Sequence, residues 1–238
     1  MSLGEFGSLG ASRNLRMGEE AEGSVRVSDS NGGDHTLNDD QSRQLDIYPL
    51  SCYYFGSKEA IPFKDETLDD RVQRLNSNYA AYGLRTCVEA VMLVELFKHP
   101  HILLLQVRNC IFKLPGGRLR PGELEIDGLK RKLSRKLCVN ADGDGIAWEV
   151  GECLDVWWRP DFETSPCRDL PSTVRSPKER TKLFLVKLPE SRKFIVPKNL
   201  KLLAIPLCQI NKNRETYGPI ISGVPEMLSK FTINIVEA

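Results

Sequence analysis

Hydrophobic periodicity divides the chain at about residue 44. Residues 1–44 are rich in Gly, Ser, Asn, Asp and Glu, hold one aromatic residue, Phe6, and show no hydrophobic period. Such a segment buries too little apolar surface to offset the entropy of ordering, so it is expected to be a disordered tail before a single domain over 45–238. From Asp46 the pattern changes. Ile47-Tyr48-Pro49-Leu50 and Tyr53-Tyr54-Phe55 predict an extended, partly buried lead-in that ends at Gly56. Thr67-Leu68-Asp69-Asp70 has the form of a capping box. Val72, Leu75, Tyr79 and Tyr82 then recur at helical spacing up to Gly83, with Arg71 and Arg74 beside the stripe.

Two runs rich in Val, Leu and Ile follow, Cys87–Leu96 and Ile102–Val107. With Lys98-His99-Pro100-His101 between them, they predict a hairpin of buried strands with both histidines in the turn. A Pro-Gly-Gly loop leads into a helix over 123–139 whose apolar stripe is Ile126, Leu129, Leu133 and Leu137. Further strands are expected at Trp148–Trp158, with Trp157 and Trp158 in the core, at Lys182–Leu188 and at Lys201–Leu207. A Pro- and Ser-rich loop is expected at Asp161–Arg180, and a short closing helix after Pro225 with Met227, Leu228 and Phe231. Strands around one central helix and one or two flanking helices predict an α/β (α+β) class, an α/β/α sandwich with a mixed sheet.

Composition narrows the function. Lys and Arg total 33 against 32 Asp and Glu, so the whole chain carries no field that would steer it to nucleic acid or membrane, and anion binding has to be local. Seven scattered cysteines without a C-x-x-C pair, and three histidines, argue against a zinc site or a disulfide framework and for a reducing compartment. The longest apolar runs fall well short of the roughly 18 residues a membrane span needs, and the first residues lack an apolar signal core.

The chemistry concentrates around Gly117. Five residues separate it from Glu123 and seven more lie before Arg131, after which the chain reads Lys132-Leu133-Ser134-Arg135-Lys136-Leu137-Cys138-Val139. This order resembles the Nudix box, G-x5-E-x7-R-E-U-x-E-E-x-G-U with U apolar. Gly117, Glu123, Arg131, Leu133 and Val139 match, but the three box glutamates fall on Lys132, Arg135 and Lys136 and the last glycine on Cys138. Positions i, i+3 and i+4 share one helix face. In a working Nudix hydrolase that face carries carboxylates for Mg²⁺, a hard cation that takes oxygen ligands. One charge pair at about 4 Å is worth roughly 1 to 4 kcal/mol at dielectric constants of about 80 to 20. Three such favourable terms become unfavourable here, so metal-assisted hydrolysis is expected to be lost, with no catalytic residue, metal or cofactor. Lys130, Arg131, Lys132, Arg135 and Lys136, with Arg118 and Arg120, form a local basic patch that is either a solvated face or a surface for an acidic partner or a phosphate backbone.

A closer resemblance rests on Leu84-Arg85-Thr86-Cys87-Val88-Glu89-Ala90-Val91, His101–Gln106, Phe112-Lys113-Leu114-Pro115-Gly116-Gly117, Gly128–Arg131, Trp157-Trp158-Arg159-Pro160, Lys182–Val186, Val196-Pro197-Lys198-Asn199 and Tyr217-Gly218-Pro219-Ile220-Ile221-Ser222. From about Tyr48 onward the chain is similar to the small, Nudix-like subunit of pre-mRNA cleavage factor I. The resemblance implies a catalytically silent Nudix fold in the nucleus that forms a homodimer and binds UGUA elements of single-stranded pre-mRNA upstream of the poly(A) site. It also implies a larger partner subunit with an RNA-recognition motif, and other 3′-end processing factors. The RNA contacts it implies are Arg71, Glu89, Phe112, Leu114, Tyr217 and Gly218. Two positions depart from the family: Ile111 stands where the animal-type pattern has a base-stacking Phe, and Phe63 stands where a family glutamate falls and could supply another stacking platform. Trp157 and Trp158 read as core, and Tyr217-Gly218-Pro219 reads equally as an ordinary turn. Two rival readings stay open. One is a Nudix hydrolase of dinucleoside polyphosphates with metal ligands rebuilt from Asp142 or Asp144; the other is a protein-interaction scaffold that never touches RNA.

Overall fold

Strand β3 (Arg85–Val91) and strand β5 (His99–Val107) form the centre of two adjacent four-stranded sheets. The computed structural model describes residues 43–62, 65, 67–107, 110–140 and 145–237. The expected tail up to residue 42, Phe63, Asp142 and Asp144 lie outside the described residues. One sheet has the order β7 (Gly116–Arg118), β3, β9 (Glu179–Lys187), β8 (Glu149–Arg159). It is mixed, because β3 and β9 run parallel while both outer pairs are antiparallel. In the other, β4 (Leu93–Leu96) and β11 (Leu200–Pro206) flank β5, which also pairs with the short β6 (Ile111–Lys113); all three pairs are antiparallel.

The run Cys87–Leu96 is therefore two strands in two sheets, divided at Met92, whose carbonyl accepts from Leu103 N at 3.0 Å. The hairpin joins only β4 to β5. Its turn is Phe97-Lys98, both at positive φ (53° and 61°), the two-residue geometry whose twist matches the flanking strands. His99 and His101 accordingly start β5, and His101 is buried with Nδ1 2.9 Å from the His99 carbonyl oxygen.

Alternation along the strands sends side chains to two cores. Val88, Ala90, Met92, Val94, Leu103 and Leu105 meet Leu129, Leu133 and Leu137 of helix α2 (Glu125–Leu137). Val91, Leu93, Ile102, Leu104, Leu183 and Leu185 meet the C-terminal helices α3 (Leu207–Ile210), α4 (Arg214–Ser222) and α5 (Val224–Met227). Both faces of the strands are covered, which explains their nearly unbroken apolar sequences and gives the α/β/α sandwich.

Local signals hold well in the helices. Helix α1 (Leu68–Tyr82) opens on the Thr67–Asp70 capping box and closes at Gly83 with φ 70°. Its stripe is shorter than expected, since Tyr82 is 67% exposed. In α2, Glu125 and Asp127 stand in the first turn and Arg135 and Lys136 in the last, complementing the helix dipole. Leu129, Leu133 and Leu137 are fully buried, each worth about 1.5 to 3 kcal/mol relative to exposure. The expected start at Glu123 moves to Glu125, and Ile126 is 44% exposed, outside the stripe.

Long-range pairing adds strands that periodicity did not predict. The lead-in does not stop at Gly56: β2 (Tyr53–Lys58) continues through it, parallel to β10 (Arg192–Pro197). Likewise β1 (Gln44–Ile47) pairs parallel with β12 (Thr232–Ile235), after the closing helix. Trp157 is buried as expected and Trp158 half-buried. Between Pro160 and Lys178 the chain forms no helix or strand, in agreement with the expected loop, apart from one bridge from Cys167 to Trp158.

Candidate nucleic-acid interface

The Pro-Gly-Gly loop lies directly against β3. Gly116 pairs with Glu89, and Ala90 N donates to the Pro115 carbonyl at 2.8 Å. A Cβ on Gly116 would sit 2.1 Å from the Val88 carbonyl oxygen, so this approach requires glycine. It brings Phe112, Lys113 and Leu114 beside the strand that carries Glu89.

From the other side, α4 closes the site. Asn213 caps it by accepting from Thr216 N, and Gly218 (φ 76°, ψ 171°) with Pro219 kinks it, so Tyr217-Gly218-Pro219 is a bend inside a helix and not a free turn. The Tyr217 ring packs on Phe112 with centroids 4.9 Å apart at 51°. A cleft of about 380 Å³ results, and its lining includes Arg71, Glu89, Phe112, Leu114, Tyr217 and Gly218. Six of the eight candidate residues thus converge. Leu114 (2% exposed) is the floor, Tyr217 is buried behind Phe112, and Phe112 itself is half-buried and presents the ring. Ile111 is not in this cleft; at 39% exposure it lines the neighbouring one.

The cleft also holds charged residues that were not among the candidates: Arg85, Lys113, Lys136, Arg159 and Glu179. Arg85 Nε binds Glu179 Oε2 at 2.5 Å and Arg159 Nε lies 3.4 Å from Oε1. Beside them, burial pushes the Cys87 thiol up to about 12. A signal for Arg85 existed, because residues 85, 87 and 89 share one strand face and a polar residue at each end marks an open face. Arg159 and Glu179 had none, as only sheet pairing brings β8 and β9 there.

Burial raises the Glu89 carboxyl to about 7, with Glu179 of β9 adding to the shift. Lys136 of α2, Lys113 of β6 and Arg159 of β8 oppose it. A carboxyl poised near neutrality offers an acceptor-only group above that pH and a donor below it.

The box helix shows why the frame persists without its acids. Glu123 is gripped by Arg131, Nε to Oε1 at 2.5 Å and Nη2 to Oε2 at 2.6 Å, and accepts from Arg120 N at 2.8 Å. The Arg131 guanidinium holds this carboxyl down to about 2. Because its folded pKa lies below the usual 4.5, the pair stabilises the fold fully above about pH 4.5 and loses that contribution as pH falls toward 2. Arg131→Met is therefore expected to raise the pH midpoint of acid unfolding, followed by circular dichroism, with little change in the apparent stability curve's shape; an unchanged midpoint would contradict the role.

Six of the seven residues of the basic patch, all but Lys130, fall into three groups. Arg131 is paired as described. Arg118 stands 5.7 Å over the Tyr82 ring and, with Arg120, lines a separate recess near Glu123. Lys132, Arg135 and Lys136 do project together, but into a second cleft rather than as one solvated face. Burial and neighbouring cations lower the Lys132 amine to about 8, and burial also lowers Lys136.

Fold and box helix define a Nudix-type protein, and residues 43–231 match the family model NUDIX_2, described as nucleotide hydrolase. The chain is 65% identical over 193 residues to the pre-mRNA cleavage factor Im 25 kDa subunit 1 of Arabidopsis thaliana, covering 81% of this chain and 87% of the relative. It is 49% identical over 197 residues to subunit 2 of the same plant (83% and 98% covered). To cleavage and polyadenylation specificity factor subunit 5 of Dictyostelium discoideum it is 44% identical over 191 residues (80% and 95%). The chain belongs to this family of 25 kDa cleavage factor Im subunits within the Nudix fold.

A Nudix hydrolase's divalent cation does not fit the residues present. The three box positions are ammonium or guanidinium groups, and Glu123 already spends both oxygens on Arg131. Among the described residues no group of three or more His, Cys, Asp or Glu is placed to hold a metal ion.

Proposed function

We propose that this chain is the small, non-hydrolysing subunit of a nuclear pre-mRNA 3′-end cleavage and polyadenylation complex, reading UGUA in single-stranded RNA through the Phe112 cleft. In this reading it acts as a homodimer and carries a larger subunit with an RNA-recognition motif, and the tail ends before Arg43 and Gln44, which already pair with Thr232. The observation that carries the proposal is the convergence of Arg71, Glu89 and the Phe112–Tyr217 pair on one cleft. The names of the relatives support the process, and the cations at the box positions support the loss of hydrolysis. Chemically the cleft suits an unstacked base: an aromatic face to stack on, a carboxylate to accept from base N–H groups and a guanidinium to donate.

The test is an anisotropy titration of the purified full chain with UGUA and scrambled oligonucleotides. UGUA is expected to bind more tightly, and Arg71→Ala to weaken it by roughly 10- to 100-fold, the range for a hydrogen bond to a charged group. Equal affinity for scrambled RNA would sink the proposal. If Glu89 reads the base as a carboxylate, affinity rises as pH passes upward through about 7 and becomes pH-independent there in Glu89→Gln.

A further inference from the structure

The second cleft, about 430 Å³, lies between α1, β6 and α2. Its charge is one-sided. Asp65 is the one acid among the described lining residues, and Arg74 binds that carboxylate at 2.6 and 2.7 Å. Arg85 is likewise paired, with Glu179. Five lining cations, Arg71, Lys113, Lys132, Arg135 and Lys136, make no ion pair within 4 Å among the described residues. Glu89, in the lining of the Phe112 cleft, partly offsets Lys113 and Lys136.

Gathering like charges in a partly buried cleft is unfavourable for the free protein, and the amines of Lys113, Lys132 and Lys136 are lowered by burial first and by neighbouring cations in addition. A bound polyanion adds an attraction to each of these cations that offsets their mutual repulsion. Among the described residues the cleft offers little for a base to stack on: its apolar lining is Ile61, Pro62, Leu68, Val107 and Ile111, all aliphatic. It is also continuous with the Phe112 cleft, since Arg71, Arg85, Lys113 and Lys136 line both.

We propose that this second cleft is a phosphate track that holds the backbone of the nucleotides flanking the base-reading element, with Lys132 and Arg135 as its outer contacts. The proposal rests on the RNA reading of the Phe112 cleft and extends it: bases are read in one cleft, and the neighbouring phosphodiesters are neutralised in the other without regard to sequence. Ile111, which offers no stacking face, fits as an edge against which ribose can lie.

The experiment compares wild type with Lys132→Ala/Arg135→Ala, two positions outside the Phe112 cleft, on a short UGUA oligonucleotide and on the same core extended by about six nucleotides at its 5′ or 3′ end. Affinity is measured over a range of salt. For one of the extended RNAs the slope of log affinity against log salt is expected to become less steep by about 1.4 in the double variant, roughly 0.7 for each single-strand phosphate that the missing side chains no longer neutralise. Affinity for the short oligonucleotide is expected to stay unchanged, which also reports an intact fold. The ratio of UGUA to scrambled affinity should be preserved. Unchanged slopes for both extended RNAs overturn the track. Unchanged slopes together with lost binding of inorganic tripolyphosphate overturn it in favour of a small-anion site. A reduced slope without any preference for UGUA leaves the track standing and removes the base-reading proposal instead.

Discussion

Gly116→Ala is expected to destabilise the fold far more than alanine at another positive-φ glycine. Gly116 sits at φ 151°, and an added Cβ would lie 2.1 Å from the Val88 carbonyl oxygen and 2.7 Å from Glu89 Cα. Both obstacles are backbone of the central strand β3, which cannot swing away as a side chain could. Relief requires β7 to separate from β3, and with it the pairing of Glu89 with Gly116. Overpacking plus backbone strain of this kind belongs to the rare substitutions that cost about 4 kcal/mol or more, a large part of the roughly 5 to 15 kcal/mol that holds a domain together. Gly122→Ala is the control: φ is 72°, nothing lies within 4 Å of the added carbon, and about 1 to 2 kcal/mol is expected. Urea unfolding of the two variants checks the contrast, and near-equal midpoints would refute it.

Phe112→Leu is expected to cost RNA affinity without costing the fold. Leucine keeps apolar volume against the Tyr217 ring and the core behind it, but removes the aromatic face that the cleft presents. Stacking contributes about 1 to 3 kcal/mol per base, so UGUA binding should weaken on the order of tenfold or more while the melting temperature stays close to wild type. Unchanged RNA binding would mean that the base stacks elsewhere. Tyr217→Phe separates the two rings' roles: Tyr217 is buried behind Phe112, and the phenylalanine variant keeps that support, so affinity should hold.

Legibility followed the range of the interactions. The capping box at Thr67 and Asp70, the stop at Gly83 and the Leu129–Leu133–Leu137 stripe are set by residues within a few positions of one another, and all are present in the fold. The spacing from Gly117 through Glu123 to Arg131 was readable for the same reason, and so was its decisive change, cations where carboxylates would bind metal. The division of Cys87–Leu96 was not readable. A run buried on both faces loses its period of two, so nothing marks Met92 as the place where the chain leaves one sheet for the other. The turn at Phe97-Lys98 carries no signal of its own, because neither residue is a Gly, Asn or Asp that would announce positive φ.

The sequence alone thus determined the class of fold, the family, the local helices and the loss of the metal-binding carboxylates, because each depends on side-chain identity at short and regular spacing. Only the tertiary structure decided where those residues sit. It closed α4 over Phe112, carried Arg159 and Glu179 into the cleft through sheet pairing, put Ile111 in the neighbouring cleft, and placed Lys132, Arg135 and Lys136 in the lining of that second cleft. Those placements depend on which surfaces bury one another across long stretches of chain, and burial of that kind leaves no periodic trace in the residues themselves.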